Sequence, residues 1–405
     1  MPQLISLTRF PGAKEHPSIT KFRALLESDA VADMLMHEMV QEANKVFFAD
    51  PGWISGPQAP CTGGVQTDCQ LDGTGIPHTV DKLFKLMDTI ITTAPRPGPA
   101  SSSFNGRWTF PMNTLLSYVS NTAAGVAAFS NPAINGALKE VLMAWNAYLS
   151  SPASAHVLTT KEWLGVSAID FSLFKHDKKK PHWGWVSWND FFTRTLVPGA
   201  RPIATAPGAI VSAADGHISN LGFDLARRDS FWVKEQSYSL EHMLQHHKHL
   251  VAPLVGGTLV QVYLGATDYH RWHAPVSGRV VAADHIPGLY FGDACGCRTP
   301  DGIHVIAEIQ TRAIIAISTE SHGLVVLIPI GMGEVSTVVV TVKTGDQVQI
   351  GEQLGTFQFG GSTTIMLTQK GVITEFKDAE GKKLHKSDKV KMGQQIALMH
   401  QVVST

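Results

Sequence analysis

The sequence lacks three features that would place it in a special class of protein. It has only four cysteines among 405 residues, too few for a disulfide framework in so long a chain. No stretch approaches the roughly 18 uninterrupted apolar residues of a membrane-spanning helix. The amino terminus has no basic segment followed by an apolar one, so no secretion signal is predicted. We therefore expect a soluble, cytoplasmic protein.

An excess of charge of one sign is also missing. Lys plus Arg is 33 and Asp plus Glu is 34, for a formal net charge of −1. Nucleic-acid-binding proteins usually carry a basic excess, so no nucleic-acid partner is predicted. With 44% apolar and 17% charged residues, the composition is that of a globular protein. The length exceeds that of a usual single core, which predicts two domains.

Residues 1–180 are predicted to form a helical accessory domain. Asp29 is a candidate helix cap, and Asn131 followed by Pro132 marks the start of another helix. The apolar stripe expected after Asp29 consists of Val31, Met34, Leu35, Val40, Ala43 and Phe47. The stripe expected after Pro132 consists of Leu138, Val141, Leu142, Trp145, Tyr148 and Leu149. Loops rich in Gly, Pro, Ser and Thr are predicted at Gly52–Gly75 and Pro95–Ser103.

Residues 181–405 are predicted to form a β-rich domain, which makes the fold class α+β. The predicted strands are Thr258–Leu264, Gly278–Ala283, Gly302–Ile309, Ala313–Ile317, Leu324–Ile330 and Val335–Val342. The pattern at Asp346–Leu354 recurs 42 residues later (388 − 346) at Asp388–Ile396, and each copy fits strand, glycine turn, strand. Two copies predict a pseudo-symmetric β-sandwich or barrel. Carrier domains show similar repeats, but the chain has no convincing attachment motif for a carrier lysine.

Two clusters of polar residues lie in the β-rich domain. The first is Tyr269-His270-Arg271-Trp272-His273, where two histidines stand three residues apart. Taken alone, they fit half of a metal site or two partly buried, hydrogen-bonded side chains. No spaced set of further ligands accompanies them, so no metal is predicted. The second is Asp215-Gly216, which by itself indicates only a turn.

The third cluster is Gly360-Gly361-Ser362, which follows an aromatic segment. One interpretation is a phosphate-binding loop, but the lysine and the helix that such a loop requires are missing. The other is a strained Gly361–Ser362 bond. Glycine permits dihedral angles closed to other residues, and holding the chain there can push the peptide carbonyl toward the neighbouring hydroxyl.

In their order along the chain, the three clusters resemble the defining motifs of the phosphatidylserine decarboxylase family. The segment Trp188–Pro202 resembles the stretch that leads into the catalytic domain of that family. The similarity covers roughly residues 185–400. Within the superfamily, Tyr269–Val276, Pro287–Phe291 and Ile330–Thr337 are most similar to the soluble fungal branch that includes L-tryptophan decarboxylase.

The resemblance implies that an Asp215–His273–Ser362 triad matures the chain. Asp215 is expected to orient His273, which removes the Ser362 hydroxyl proton so that the oxygen attacks the Gly361 carbonyl. Cleavage would give a β chain, 1–361, and an α chain of 44 residues (405 − 361) that remain associated. Residue 362 would become a pyruvoyl group that serves as the electron sink for decarboxylation, without pyridoxal phosphate or metal. His270 is the candidate proton donor to the product carbanion, with His273 as the competing choice.

The substrate is predicted to be a free L-amino acid, with tryptophan, which would yield tryptamine, as the first choice. Phosphatidylserine, which would yield phosphatidylethanolamine, is the alternative. Trp272, Tyr290, Phe291 and Glu334 are candidate substrate contacts, although aromatic residues on strands are usually core. A non-catalytic β-sandwich binding module is a third possibility. Family members are often dimeric, so a homodimer is a possible assembly.

Overall fold

The computed structural model describes residues 14–49, 77–97, 110–120, 122–228, 239–291, 309–320, 322–334 and 336–400. A helical region is followed by a β-rich region, which confirms the α+β class. Four sequence features lie wholly or largely outside the described residues. They are the loop predicted at Gly52–Gly75, the loop predicted at Pro95–Ser103 beyond residue 97, the strand predicted at Gly302–Ile309 apart from Ile309, and all four cysteines.

Both predicted helix starts are confirmed. The described helices of the first region are α1 (Pro17–Ser28), α2 (Ala30–Ala49), α3 (Val80–Ile90), α4 (Pro111–Ser120), α5 (Ala123–Ser130) and α6 (Pro132–Leu149). The Asp29 Oδ1 atom accepts hydrogen bonds from the N–H groups of Val31 and Ala32, at 3.0 and 3.1 Å. The Asn131 Oδ1 atom does the same for the two amides that follow Pro132, at 2.9 and 3.2 Å. Each cap satisfies amides that the helix itself leaves without a partner.

The apolar stripe predicted for α2 is wrong in part, whereas the stripe on α6 is confirmed. Val31 and Met34 are 56% and 48% exposed. The buried residues of α2 are Ala32, Met36, Met39, Val40 and Ala43. Apolar side chains occur on more than one face of this helix, so the spacing alone did not decide which face packs inward. On α6, five of the six predicted stripe residues are fully buried and Tyr148 is partly buried.

The second region contains thirteen described strands and three short helices. The strands are β1 (Ala209–Val211), β2 (Gly216–Phe223), β3 (Thr258–Leu264), β4 (Arg271–His273), β5 (Gly278–Ile286), β6 (Arg312–Ser318), β7 (Leu324–Met332), β8 (Val338–Val340), β9 (Gln347–Val348), β10 (Gln353–Phe357), β11 (Gly361–Thr368), β12 (Lys389–Val390) and β13 (Gln395–Leu398). The helices are α7 (Trp188–Phe192), α8 (Leu240–Leu244) and α9 (Lys248–Leu254). The long apolar runs predicted as strands match β3, β5, β6 and β7, whereas Val335–Val342 contributes only the short β8.

The sandwich prediction is confirmed and the barrel prediction is wrong. Eight strands form one sheet in the order β12-β2-β3-β11-β7-β6-β5-β9, in which the pairings are antiparallel. Its two edge strands, β12 and β9, are two residues long and do not pair with each other among the described residues, so the sheet stays open. Two smaller sheets, β4-β10-β8 and β1-β13, contribute to the second layer.

Both faces of the large sheet are covered, which explains why its strands are apolar at nearly every position. On β6, Ile315 and Ile317 belong to the core shared with the smaller sheets. Their neighbours Ile314 and Ala316 belong to the core shared with α8 and α9. Successive side chains on a strand point to opposite faces. On β11 this alternation puts Ser362 on the same face as Met366, which packs in the core that includes β4 residues.

The predicted repeat is confirmed as two quasi-equivalent glycine turns. Gly351 and Gly393 have φ values of +80° and +85°, a region that favours glycine. A short strand precedes each turn, and another strand follows it. Ile203 contacts both turns, because a Cβ built on Gly351 or Gly393 would lie 2.6 or 2.7 Å from its Cδ1 atom.

Candidate active site

Ser362 is the second residue of β11, between β3 and β7. It pairs with Leu264 on one side and Gly331 on the other, and its side chain is fully buried. Gly361 pairs with Met332, so the predicted scissile bond lies at the start of a central strand. Gly360 has a φ of +149°, in the region that favours glycine. Gly360, one residue before the bond, thus adopts a conformation that a residue with a side chain rarely takes.

His270 is the histidine that contacts Ser362. Its Nδ1 atom lies 3.4 Å from the Ser362 Oγ atom, and its ring is fully buried. The Phe192 ring stacks on the imidazole, with centroids 3.8 Å apart. Burial lowers the pKa of His270 to about 3, and the positive charge of Arg194 acts in the same direction. The ring is therefore neutral near pH 7, and a neutral imidazole can accept a proton.

His273 makes two other hydrogen bonds. Its Nδ1 atom lies 2.8 Å from the Gly351 carbonyl oxygen, so Nδ1 donates. Its Nε2 atom then accepts from the Tyr269 hydroxyl, at 3.0 Å. Burial raises the pKa of Tyr269, which keeps that hydroxyl protonated. Burial also lowers the pKa of His273, against an opposing effect of the Gly351 carbonyl. His273 is thus a neutral imidazole with both nitrogens occupied.

Asp215 is buried in an ion pair with Arg201. The guanidinium donates from Nε to Oδ1 at 3.0 Å and from Nη2 to Oδ2 at 2.5 Å. The Met392 N–H donates to Oδ1 at 2.8 Å, and Lys391 Nζ lies 3.6 Å from Oδ2. A forked, charge-assisted pair of this kind holds a carboxylate in a fixed orientation.

The structure brings the predicted residues into one region without joining them as a hydrogen-bonded triad. Ser362 contacts His270 rather than His273, and no hydrogen bond links Asp215 to His273 among the described residues. The reason is local. The Gly351 carbonyl occupies the nitrogen of His273 that Asp215 was expected to orient. The Asp215 charge still acts on His273. It favours the charged imidazole and so partly opposes the lowering of the His273 pKa by burial.

The four predicted substrate contacts are structural in this conformation. Trp272 is fully buried in the sandwich core, in a ring contact with Phe357. Phe291 packs in the core of the helical region, in ring contact with Phe129. Tyr290 is partly buried and packs against the same core. None of these contacts is with Ser362. Their assignment as substrate contacts stays a prediction.

Glu334 is the most unusual of the four. It is fully buried, and its oxygens accept hydrogen bonds from the N–H groups of Met112 and Asn113, at 3.3 and 2.9 Å. These amides belong to the first turn of α4, where N–H groups have no partner within the helix. Burial raises the pKa of Glu334 well above its usual range, and the two backbone bonds oppose this effect. Both oxygens are thus used in the contact between the two regions.

Three residues of the segment Trp188–Pro202 make contacts that the sequence did not predict. Phe192 stacks on His270, Arg201 pairs with Asp215, and Arg194 donates to the carbonyl oxygens just before Tyr269, at 2.5 and 2.7 Å. Burial lowers the pKa of Arg194 to about 10. All three lie in Trp188–Pro202, so the motif was visible in the sequence. Their contacts were not visible: the partner of Arg201 lies 14 residues away, and the partners of Arg194 lie 73 and 74 residues away.

Phe359 connects the helical region to the predicted cleavage site. It is fully buried in the helical core, two residues before Gly361. Its ring contacts those of Phe110, Trp145, Trp188 and Phe192, with centroids 5.3–6.0 Å apart. The aromatic sequence before the Gly-Gly-Ser motif was noted as a strand. The structure shows that it also belongs to the core of the other region.

The described residues contain neither a candidate metal site nor a candidate membrane-spanning helix. No group of three or more His, Cys, Asp or Glu side chains there is arranged to hold a metal ion. In the same part of the chain, no helix combines the length and the apolar character needed to cross a membrane.

Comparison with known proteins places the chain. A family model described as phosphatidylserine decarboxylase matches residues 188–398, and a second model with the same description matches residues 62–171. A decarboxylase of Amanita muscaria is 33% identical over 290 residues, which cover 64% of this chain and 83% of that protein. The L-tryptophan decarboxylase of Psilocybe cubensis is 30% identical over 338 residues, covering 74% of this chain and 75% of that protein. A phosphatidylserine decarboxylase proenzyme of Fusobacterium nucleatum is 34% identical over 231 residues, covering 57% and 73%.

The fold, the buried serine–histidine contact and these matches define a decarboxylase. The chain belongs to the phosphatidylserine decarboxylase family. The second matched segment shows that much of the helical region is also a family feature, although the sequence itself assigned it no chemistry.

Proposed function

We propose that this decarboxylase cuts itself between Gly361 and Ser362 and uses the resulting pyruvoyl group to decarboxylate a free L-amino acid. The observation that carries the proposal is the 3.4 Å contact between Ser362 Oγ and His270 Nδ1 in a buried site. The word proenzyme in the name of the Fusobacterium relative supports self-processing.

The residues of the chain supply each step of the cleavage. The Ser362 oxygen bonds to the Gly361 carbonyl carbon while a histidine takes the hydroxyl proton, and the peptide C–N bond breaks as its nitrogen gains a proton. Loss of the Cα proton at residue 362 and of the Cβ–O bond then releases the Gly361 carboxylate. The dehydroalanine that remains takes up water and releases ammonia to become a pyruvoyl group.

The geometry favours His270 as the base in contact with Ser362. Its Nδ1 atom can reach the hydroxyl proton by closing a 3.4 Å contact, whereas the pKa of about 3 that burial imposes makes the ring a weak base. The assignment of Asp215 and His273 stays a prediction. His273 would first have to exchange the Tyr269 hydroxyl for Ser362. The variants His270→Ala and His273→Ala separate the two assignments, because the base is the one whose loss stops cleavage completely.

The surroundings of Ser362 suit a decarboxylation. When bound, the pyruvoyl group supplies an electron sink for the substrate carbon that loses carbon dioxide. Phe192 and Phe359 make the neighbourhood apolar, which disfavours a charged carboxylate relative to the transition state in which that charge disperses. His270 lies where a proton can be delivered to a group at residue 362.

An aromatic amino acid, with tryptophan first, is the proposed substrate. The Psilocybe relative named for L-tryptophan matches 338 residues, more than the 211 residues (188 to 398) of the matched sheet-region domain. Its similarity therefore extends beyond that domain. The helical region also supplies two of the aromatic side chains around Phe359, Phe110 and Trp145. Phosphatidylserine is the second candidate, favoured by the names of the family model and of the Fusobacterium relative.

Two measurements test the proposal. A denaturing gel and intact masses should show fragments 1–361 and 362–405, the second with a carbonyl that reacts with phenylhydrazine, whereas Ser362→Ala should remain one inactive chain. Uncleaved wild-type protein with full activity would overturn the mechanism. Release of carbon dioxide from a panel of amino acids and from phosphatidylserine vesicles identifies the substrate. Light scattering on the cleaved protein tests the predicted homodimer.

A further inference from the structure

Helix α6 of the helical region and the short helix α7 together hold the chain on the amino-terminal side of the predicted cleavage site. Asn146 Nδ2 donates to Gln358 Oε1 at 2.5 Å, and the Phe359 N–H donates to Asn189 Oδ1 at 3.3 Å. Asn189 in turn donates to Asn146 Oδ1 at 2.7 Å, so the two amides form one network. Both are nearly buried, where polar networks are rigid if their members are satisfied.

The same region also holds the turn opposite the cleavage site. Glu334 accepts from the first turn of α4, and in the described part of the chain no cation contacts it. Its φ of +37° is rare for a residue with a side chain. A Cβ built on Gly333 would lie 3.1 Å from the Asn113 Oδ1 atom, so the first turn of α4 packs closely on Gly333.

Strand pairing connects this turn to the scissile bond. Gly331 pairs with Ser362 and Met332 with Gly361, so Glu334 lies just beyond the end of that ladder. A Cβ built on Gly360 would lie 3.2 Å from the Glu334 Cβ atom, which leaves little room between the two segments. Any shift of Glu334 relative to α4 should therefore move Gly360 and, through it, the Gly361–Ser362 bond.

We propose that Glu334 is a positioning residue for self-cleavage: by accepting the first amides of α4, it clamps Gly333 and Glu334 against Gly360 and holds Gly361–Ser362 in the conformation that Ser362 attacks. This inference rests on the proposed self-cleavage. It assigns to α4 of the helical region a role in maturation, with Asn189 on α7 as the second point of the clamp.

The test follows cleavage from the moment of synthesis. Wild type, Glu334→Ala, Glu334→Gln and Asn189→Ala are made by cell-free translation, and the half-time of conversion from one band to two is measured. Loss of both acceptor atoms in Glu334→Ala should slow cleavage about ten- to hundredfold, the rate equivalent of one or two hydrogen bonds. Glu334→Gln keeps one acceptor, so it should slow cleavage less, and Asn189→Ala should also slow it.

The matched control is Glu42→Ala. Glu42 Oε2 accepts from the Ala124 N–H at 2.9 Å, so it caps the start of α5 in the same way but within the helical region. Thermal midpoints are measured on Ser362→Ala backgrounds, in which no variant can cleave. A positioning role predicts slow cleavage in the Glu334 variants at a midpoint no lower than that of Glu42→Ala, which should cleave at the wild-type rate.

Other outcomes are decisive in different ways. If the Glu334 variants and Asn189→Ala cleave as fast as wild type, the clamp is wrong while self-cleavage stands. If cleavage slows only in proportion to the fall in thermal midpoint, Glu42→Ala included, Glu334 is merely structural and the inference is again overturned. If the wild type itself stays a single band, the proposed function fails, independently of Glu334.

Discussion

Two turns of the β-rich region make equivalent backbone hydrogen bonds but carry different side chains. The first turn, residues 211–218, precedes and begins β2, and the second turn, residues 273–280, precedes and begins β5. Corresponding residues are 62 positions apart (277 − 215). Each turn is closed by one copy of the repeat, around Gly393 or Gly351. The first turn contains Asp215, whereas the second begins with His273.

The backbone hydrogen bonds show how close the equivalence is. Ser212 exchanges hydrogen bonds with the Gly393 turn, and Ala274 exchanges the corresponding pair with the Gly351 turn. The Val211 N–H donates to Pro275 and the His273 N–H donates to Ala213, so the two turns also bind each other reciprocally. The duplicated part is therefore a scaffold of backbone contacts.

The side chains show where the two turns diverge. Asp215 Oδ1 accepts the Met392 N–H, and at the equivalent place Ser277 Oγ accepts the Ile350 N–H, both at 2.8 Å. One oxygen of Asp215 thus does what a serine hydroxyl does in the other turn. The second oxygen, with its bond to Arg201, has no equivalent in Ser277. The oxygen of Asp215 that supports the turn is thus distinguished from the oxygen that has only charged partners, Arg201 and Lys391.

The largest expected effect comes from giving the first turn the side chain of the second. Asp215→Ser should keep an acceptor for Met392 but leave Arg201 buried without its counter-charge, at a cost of about 3 kcal/mol in the free energy of unfolding. If the carboxylate serves maturation, cleavage should slow about 100-fold or more. Chemical denaturation and a cleavage time course measure the two effects. Cleavage at the wild-type rate would show that Asp215 is only a scaffold residue.

His270 lies just before the second turn, and the pH dependence of stability tests whether its buried ring is neutral. The pKa of His270 is about 3 in the folded protein, below the usual 6.5. Its folded pKa is depressed, so its stability contribution is complete above about pH 6.5 and is lost as the pH falls toward 3. Between about pH 8 and pH 5 the loss is about 2 kcal/mol. On a Ser362→Ala background, His270→Gln should lose less stability over that interval. Stability is measured by urea unfolding at each pH. If the stability of His270→Gln fell with pH as steeply as that of the parent protein, the burial of a neutral ring would be contradicted.

The comparison also shows what sequence could reveal. The repeat around Gly351 and Gly393 was visible because both turns need glycine at positive φ, and glycine and aspartate recur at fixed spacing. The equivalence of the two turns that they close was not visible, because only Gly216 and Gly278 stand out in common. Backbone hydrogen bonds can be kept by almost any side chain, so they leave little trace in a sequence.

The site followed the same rule. Ser362, His270, His273 and Asp215 carry recognisable motifs, so all four could be named. Their partners could not, because each contact depends on how the chain packs: Arg201 lies 14 residues from Asp215, and Gly351 lies 78 residues from His273. The contact of Glu334 with α4 could not be predicted for the same reason, because its partner Asn113 lies 221 residues away in sequence (334 − 113).

The equivalence of the two glycine turns predicts similar effects. Gly351→Ala and Gly393→Ala should each lower the free energy of unfolding by about 2 kcal/mol, because positive φ is strained for alanine and the new methyl group meets Ile203. The loss should be somewhat larger for Gly393→Ala, because its methyl group would also lie 2.8 Å from the Pro202 carbonyl oxygen. Gly371→Ala is the control, with a φ of +81° but no atom within 4 Å of its added Cβ, and should lose only about 1 kcal/mol. A loss at either turn no larger than that of Gly371→Ala would show that its contact with Ile203 does not constrain the glycine.

The smallest effect is expected from Ser277→Ala, which removes the scaffold acceptor from the second turn. Ser277 is exposed, so water can replace its hydroxyl at Ile350, and the free energy of unfolding should fall by no more than about 1 kcal/mol. Cleavage should continue at the wild-type rate, because the turn contributes no charge at this position. The measurement is the same denaturation and time course used for Asp215→Ser. If Ser277→Ala slowed cleavage as much as Asp215→Ser, the backbone of the turns would be what maturation requires, and the carboxylate of Asp215 would lose its special standing.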